Sequence, residues 1–196
     1  MAPQQTLALG LKARTGSAAL VALAGAADAP RIVAKTRIVM ATTFETGAVY
    51  HAAQELSLAA AEAHVAKSAR TFEALAVKAL QALRTELGAD FLWTGGALVA
   101  APAKPALPLV QIIAAHPWVH AAEGELYRRV VERAAVACGL KMVRVAPTEL
   151  VAQAARAAGL RPPEVERGLA ALGKASGPPW TKEEKECALA AWGLLS

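Results

Sequence analysis

Apolar residues run almost without interruption from Thr6 to Ala13 and again from Ala18 to Ala24, with the turn residues Arg14-Thr15-Gly16-Ser17 between them. Two such runs separated by turn chemistry predict a hairpin buried on at least one side. Gly25 to Pro30 reads as the next turn. From Arg31 to Met40 the pattern alternates, with Ile32, Ala34, Ile38 and Met40 on one face and Arg31, Lys35 and Arg37 on the other, as in an outer strand with one wet face. His51 to Leu87 holds neither glycine nor proline, and Leu56, Ala63, Phe72, Leu75, Leu83 and Leu87 recur at helical spacing before Gly88. A single helix of that length would extend roughly 55 Å, too long for a compact domain of this size, so a bend or two helices are expected.

Asp90 to Thr94 predicts a short central strand ended by Gly95-Gly96, and the stretch from Ala100 to Pro108, carrying Pro102, Pro105 and Pro108, predicts a loop. Pro117 opens a helix that runs to Cys138 and is capped by Gly139, with Leu126, Val130, Ala134 and Ala137 as its buried stripe. Lys141 to Val145 reads as a strand. Helices follow from Pro147-Thr148 to Gly159 and from Pro162-Pro163 to about Gly173. Thr181-Lys182-Glu183-Glu184 fits a capping box before a last helix rich in alanine, leucine and tryptophan.

Composition narrows the class. The 196 residues are 55% hydrophobic and 19% charged, enough to bury a core within one domain, 1–196. Roughly a quarter are alanine, which favours closely packed helices. No uninterrupted apolar stretch approaches the roughly 20 residues of a membrane span, and Met1-Ala2-Pro3-Gln4-Gln5 lacks the form of a secretion signal, so a cytoplasmic protein with no membrane partner is expected. Cys138 and Cys187 lie far apart without metal-ligand spacing and read as buried thiols. The net charge of +5 suits an anionic partner. Of 16 acidic residues only Asp28 and Asp90 are aspartates, too few for an aspartate cluster around magnesium. Gly95-Gly96 lacks the lysine and spacing of a phosphate loop, and neither a dinucleotide-binding fingerprint nor a G-x-S-x-G elbow occurs.

Three consecutive strands, a long helix, then strand, helix, strand and terminal helices describe an α/β architecture: a mixed five-stranded sheet flanked by helices in three layers. This order resembles the ribonuclease H-like fold. Within it, the path from Asp90 through Val145 to Glu186-Cys187-Ala188-Leu189-Ala190-Ala191 resembles bacterial Holliday-junction resolvases. The resemblance implies acidic residues on the first strand, at the end of the fourth and at the start of the last helix, holding two magnesium ions for cleavage. This chain departs at each place. The first strand offers Leu9-Gly10-Leu11-Lys12, the fourth Trp93-Thr94-Gly95-Gly96, and only Glu184 and Glu186 remain at the last helix, beside Cys187. A lysine amid metal ligands repels the ions.

The other candidate chemistry lies in His116-Pro117-Trp118-Val119-His120-Ala121-Ala122-Glu123-Gly124-Glu125. His116, His120 and Glu123 stand at i, i+4 and i+7, so they can share a helix face and hold one divalent metal. The alternative makes His116 the cap before Pro117, lets His120 hydrogen-bond in a half-buried position and has Glu123 favoured in the N-terminal half of the helix by its dipole. Glu123 and Glu184 are the candidate catalytic acids, although Glu184 equally fits the reciprocal partner of Thr181 in the capping box. Lys12, Arg14, Arg128, Arg129 and Arg133 are the candidate phosphate contacts, weighed against an ion-paired surface with Glu125 and Glu132. Trp93, Trp118, Trp180 and Trp192 read as packing residues.

The first expectation is therefore a ribonuclease H-like module without its two-metal centre, binding nucleic acid or a protein partner. The alternative is a metal-dependent hydrolase or nuclease using His116, His120 and Glu123. Pairing of two copies through alanine-rich helices is a third possibility.

Overall fold

Leu7, Leu9 and Leu11 alternate along the first strand with Ala8, Gly10 and Lys12; the leucines enter one core, and Ala8 enters the other. A computed structural model describes residues 4–103 and 107–195 of the chain. Residues 1–3, which fall within the stretch read for a secretion signal, and Pro105 of the expected loop lie outside the described residues. The sheet has the order β3-β2-β1-β4-β5, formed by β1 (Gln5–Arg14), β2 (Ser17–Ala24), β3 (Arg31–Val39), β4 (Phe91–Val99) and β5 (Met142–Val145). The first three pair antiparallel, and β1, β4 and β5 pair parallel, as helical crossovers require. Gly16 turns the first hairpin at φ +78°, a conformation that side chains resist.

One face carries α2 (Val49–Ala53), α3 (Leu58–Leu87) and α5 (His116–Ala137), which bury Leu7, Leu9, Leu11, Leu20 and Ile38. The other carries α6 (Leu150–Ala158), α7 (Pro162–Ser176) and α8 (Lys182–Trp192) over Ala8, Ala19, Val21 and Val99. Two minor helices, α1 (Phe44–Gly47) and α4 (Leu109–Ile113), are also present, and a 3-10 turn at Pro147–Glu149 leads into α6. The small residues on the second face let α8 approach closely: a Cβ at Gly10 would lie 1.7 Å from the Cys187 carbonyl oxygen.

Several elements differ from the sequence reading for local reasons. β4 continues through Gly95-Gly96 to Val99, because these glycines admit close neighbours rather than ending the strand; a Cβ at Gly96 would lie 2.5 Å from Met142 Sδ. The register of β3 slips opposite Ala22 and Leu23, leaving Val33 as an extra residue. That bulge reverses the alternation, so Ile32 packs with the α8 face while Ala34, Ile38 and Met40 pack with the α5 face. The break expected in the long helical stretch falls at residues 54–57, and Ser57 caps an unbroken α3 about 45 Å long. Its buried stripe is Ala61, Phe72, Ala76, Leu80 and Leu83, whereas Leu56 and Leu75 are exposed. Ala137 likewise faces solvent, and α7 runs past Gly173 to Ser176.

Candidate functional site

Two polar clusters flank the sheet. The first gathers where α8 begins against β1 and β3. Thr181 caps α8, its hydroxyl accepting from the Glu183 N–H at 3.2 Å, while Glu184 accepts from the Thr181 N–H at 2.9 Å and from its hydroxyl. Burial raises the Glu184 pKa, but these hydrogen bonds outweigh it and hold the carboxyl below its ordinary value. The capping role of Glu184 is thus realised. Glu186, buried, forms an ion pair with Lys12, and Glu183 receives Arg37 at 2.7 Å and Arg14 at 3.6 Å. Arg37 also stands 3.8 Å from Glu184. Cys187 is fully buried, and burial pushes its thiol well above the ordinary range, so it is no nucleophile.

The pair of divalent cations implied by the fold does not fit these residues. Lys12 neutralises Glu186, Arg37 neutralises Glu183, and Gly10 brings the α8 backbone directly onto β1. β4 ends in Leu98-Val99, with no carboxylate. Glu183 and Glu186 are committed to cations of the same chain, and Glu184 to the Thr181 cap.

The second cluster lies on the opposite face, where α2 meets the start of α5. Ala115, rather than His116, takes the cap position, and His116 and His120 are exposed one turn apart with their Nε2 atoms 2.9 Å from each other. His51 of α2 completes the group: its ring centroid lies 4.8 Å from that of His120 and 5.6 Å from that of His116. One ligand atom from each of these three histidines falls within 4.8 Å of the others.

Glu123 follows the same helix stripe into the interior. It is 3% exposed, and α2 covers it. Its carboxylate accepts from the Val49 N–H at 2.8 Å and the Tyr50 N–H at 3.1 Å, and stands 3.3 Å from His51 Nδ1. Its oxygens therefore satisfy the first turn of α2, which has no cap of its own. The structure thus places His51, not Glu123, with His116 and His120. Tyr127 donates to the Gly47 carbonyl at 2.8 Å, and burial together with the Glu123 charge pushes its phenol up to about 12. His51 escaped the sequence reading because it stands 65 positions before His116 and on another helix; no local spacing marks it.

The arginines of α5 form a third group. Arg128 and Arg129 both hold Glu125, at 2.8 and 3.1 Å, and Arg144 of β5 bridges Glu125 and Glu132 at 2.9 and 2.6 Å. Burial opposes ionisation of Glu125, yet the Arg144 and Arg128 hydrogen bonds bring its pKa down to about 2. Arg133 is exposed and makes no ion pair among the described residues. Lys12 and Arg14 belong to the α8 network, although Arg14 keeps 60% of its side-chain surface exposed.

This sheet order and layering define the α/β class of the ribonuclease H-like fold. Among solved structures the chain is similar to Thermus thermophilus RuvC, with 12% identity and a TM-score of 0.53 over 95% of this chain and 92% of that one. It is similar also to T. thermophilus RuvC in complex with Holliday junction substrate, with 11% identity and a TM-score of 0.51 over 96% and 91% of the two chains. The distant resemblance to resolvases therefore holds at the level of the fold. No family model matches the chain, and no curated protein does. No helix among the described residues is long and apolar enough to cross a membrane.

Proposed function

We propose that this chain is a ribonuclease H-like module that binds nucleic acid and does not cleave it by the two-metal route. The observation that carries the second half is the ion pairing of Glu183 and Glu186 with Arg37 and Lys12, which consumes the carboxylates a metal pair needs. Three features support the first half. The net charge is +5; a protein of the same fold has been seen with a Holliday junction; and exposed cations flank the α8 network, with Arg14, Lys182 and Lys185 able to meet phosphates while the glutamates stay paired.

Fluorescence anisotropy with labelled duplex, four-way junction and single strand at several salt concentrations tests this reading. Binding through Z phosphates gives a log-log slope near about −0.9Z on duplex DNA. Absence of binding, or binding indifferent to salt, removes the nucleic-acid reading. Magnesium-dependent cleavage that disappears in Glu186→Gln removes the non-cleaving one. Sedimentation of the same samples reports whether a second copy of the chain is also a partner.

A second reading, a metal-dependent hydrolase, is favoured by one observation, the approach of His116 to His120. A metal held there would activate water as the nucleophile.

A further inference from the structure

We infer that His51, His116 and His120 form a binding site for a single borderline transition-metal ion such as Zn²⁺, with Glu123 as the group that orients His51 and with the fourth coordination position left to water. The inference concerns metal binding alone and is independent of nucleic-acid binding.

Donor chemistry and geometry agree on this assignment. Three imidazoles without thiolates suit zinc, cobalt or nickel rather than magnesium or calcium, which prefer oxygen. Two nitrogens bound to tetrahedral zinc at 2.0–2.1 Å lie about 3.4 Å apart. The Nε2 atoms of His116 and His120 are at 2.9 Å and open by about half an ångström to admit the ion, while they close on the His51 nitrogen, which lies within 4.8 Å of them. Both rings are exposed, which makes that movement inexpensive and leaves the site open to solvent. A three-histidine set with one open position retains a water.

The buried partner separates this cluster from a chance meeting of surface histidines. A ligating histidine ordinarily gives its second ring nitrogen to a carboxylate or carbonyl, which fixes tautomer and ring direction. Here Glu123 stands 3.3 Å from His51 Nδ1, leaving Nε2 as the free nitrogen. Two backbone N–H groups lock that carboxylate, and the ring of His51 packs edge-on against Phe44, His116 and His120. His51 is therefore held while the other two histidines adjust around it.

Titration of the full-length protein with Zn²⁺ by calorimetry, and with Co²⁺ by visible absorption, tests the site. The expected result is one equivalent bound and a four-coordinate cobalt spectrum. Affinity should fall at least about 100-fold in each of His51→Ala, His116→Ala and His120→Ala, and about 10- to 100-fold in Glu123→Gln. Exposed His116 and His120 can be removed without disturbing the core, so their variants remain readable even if Glu123→Gln fails to fold. Absence of a stoichiometric site, or an affinity unchanged in His120→Ala or in folded His51→Ala, overturns the assignment.

Discussion

The two faces of the sheet treat polar side chains in opposite ways. On the α8 face Glu183, Glu184 and Glu186 are satisfied by Arg37, Thr181 and Lys12, so the groups hold each other and leave little capacity for a ligand. On the α5 face Glu123 is equally satisfied, but it is satisfied by fixing α2 and its histidine, and the nitrogens of His116 and His120 meet each other at an exposed surface. The difference teaches that a polar cluster signals stability or reactivity according to whether its lone pairs are already used. On the α8 face those lone pairs are spent on neighbours within the chain, whereas on the α5 face the exposed imidazoles keep capacity for a ligand.

The largest effect should come from the packing that closes the α8 face. Gly10→Ala places a methyl group against the Cys187 carbonyl and should cost about 3–5 kcal/mol in urea unfolding. An effect below 1 kcal/mol would mean that α8 does not sit directly on β1. Glu123→Ala leaves the buried Val49 N–H, the part-buried Tyr50 N–H and His51 without their acceptor, and a loss of about 2–4 kcal/mol is expected by the same measurement.

Lys12→Met should cost less, about 1–2 kcal/mol, because the Lys12–Glu186 pair is only partly buried and Lys182 remains 3.8 Å from Glu186. A stabilised variant would show that desolvating the pair costs more than its attraction returns. Glu125 sharpens the contrast through pH. Its pKa is about 2 in the fold against an ordinary 4.5, so its contribution is complete above pH 5 and is lost as pH falls toward 2. Glu125→Gln should lower stability at pH 7 by about 1 kcal/mol after solvent screening and flatten the acid limb of the stability profile. The smallest effect is expected for His120→Ala without metal, within about 0.5 kcal/mol, since the ring is exposed and packs against the rings of His51 and His116. A large loss there would make the histidine group structural.

Much of this architecture was legible because its signals are local. The apolar runs of β1 and β2, the glycines after α3 and α5, and the Thr181 capping box each name an element through short-range chemistry. Errors arose where neighbours override local preference. Gly95-Gly96 looks like a stop but serves the close approach of Met142, and the bulge at Val33 flips a face that strict alternation assigns wrongly. The site was half legible. His116 and His120 lie one turn apart on one helix, so their meeting follows from spacing. His51 reaches them only through the docking of α2 on α5, and Glu123 leaves the expected ligand set because that same docking buries it.

The sequence by itself determined the element order and the absence of carboxylates from β1 and β4, since these are properties of composition and short-range periodicity. Tertiary structure alone decided which cation neutralises which glutamate and which third imidazole joins the pair. Those outcomes depend on distances between segments remote in the chain, and such distances follow from how whole faces pack rather than from any local pattern.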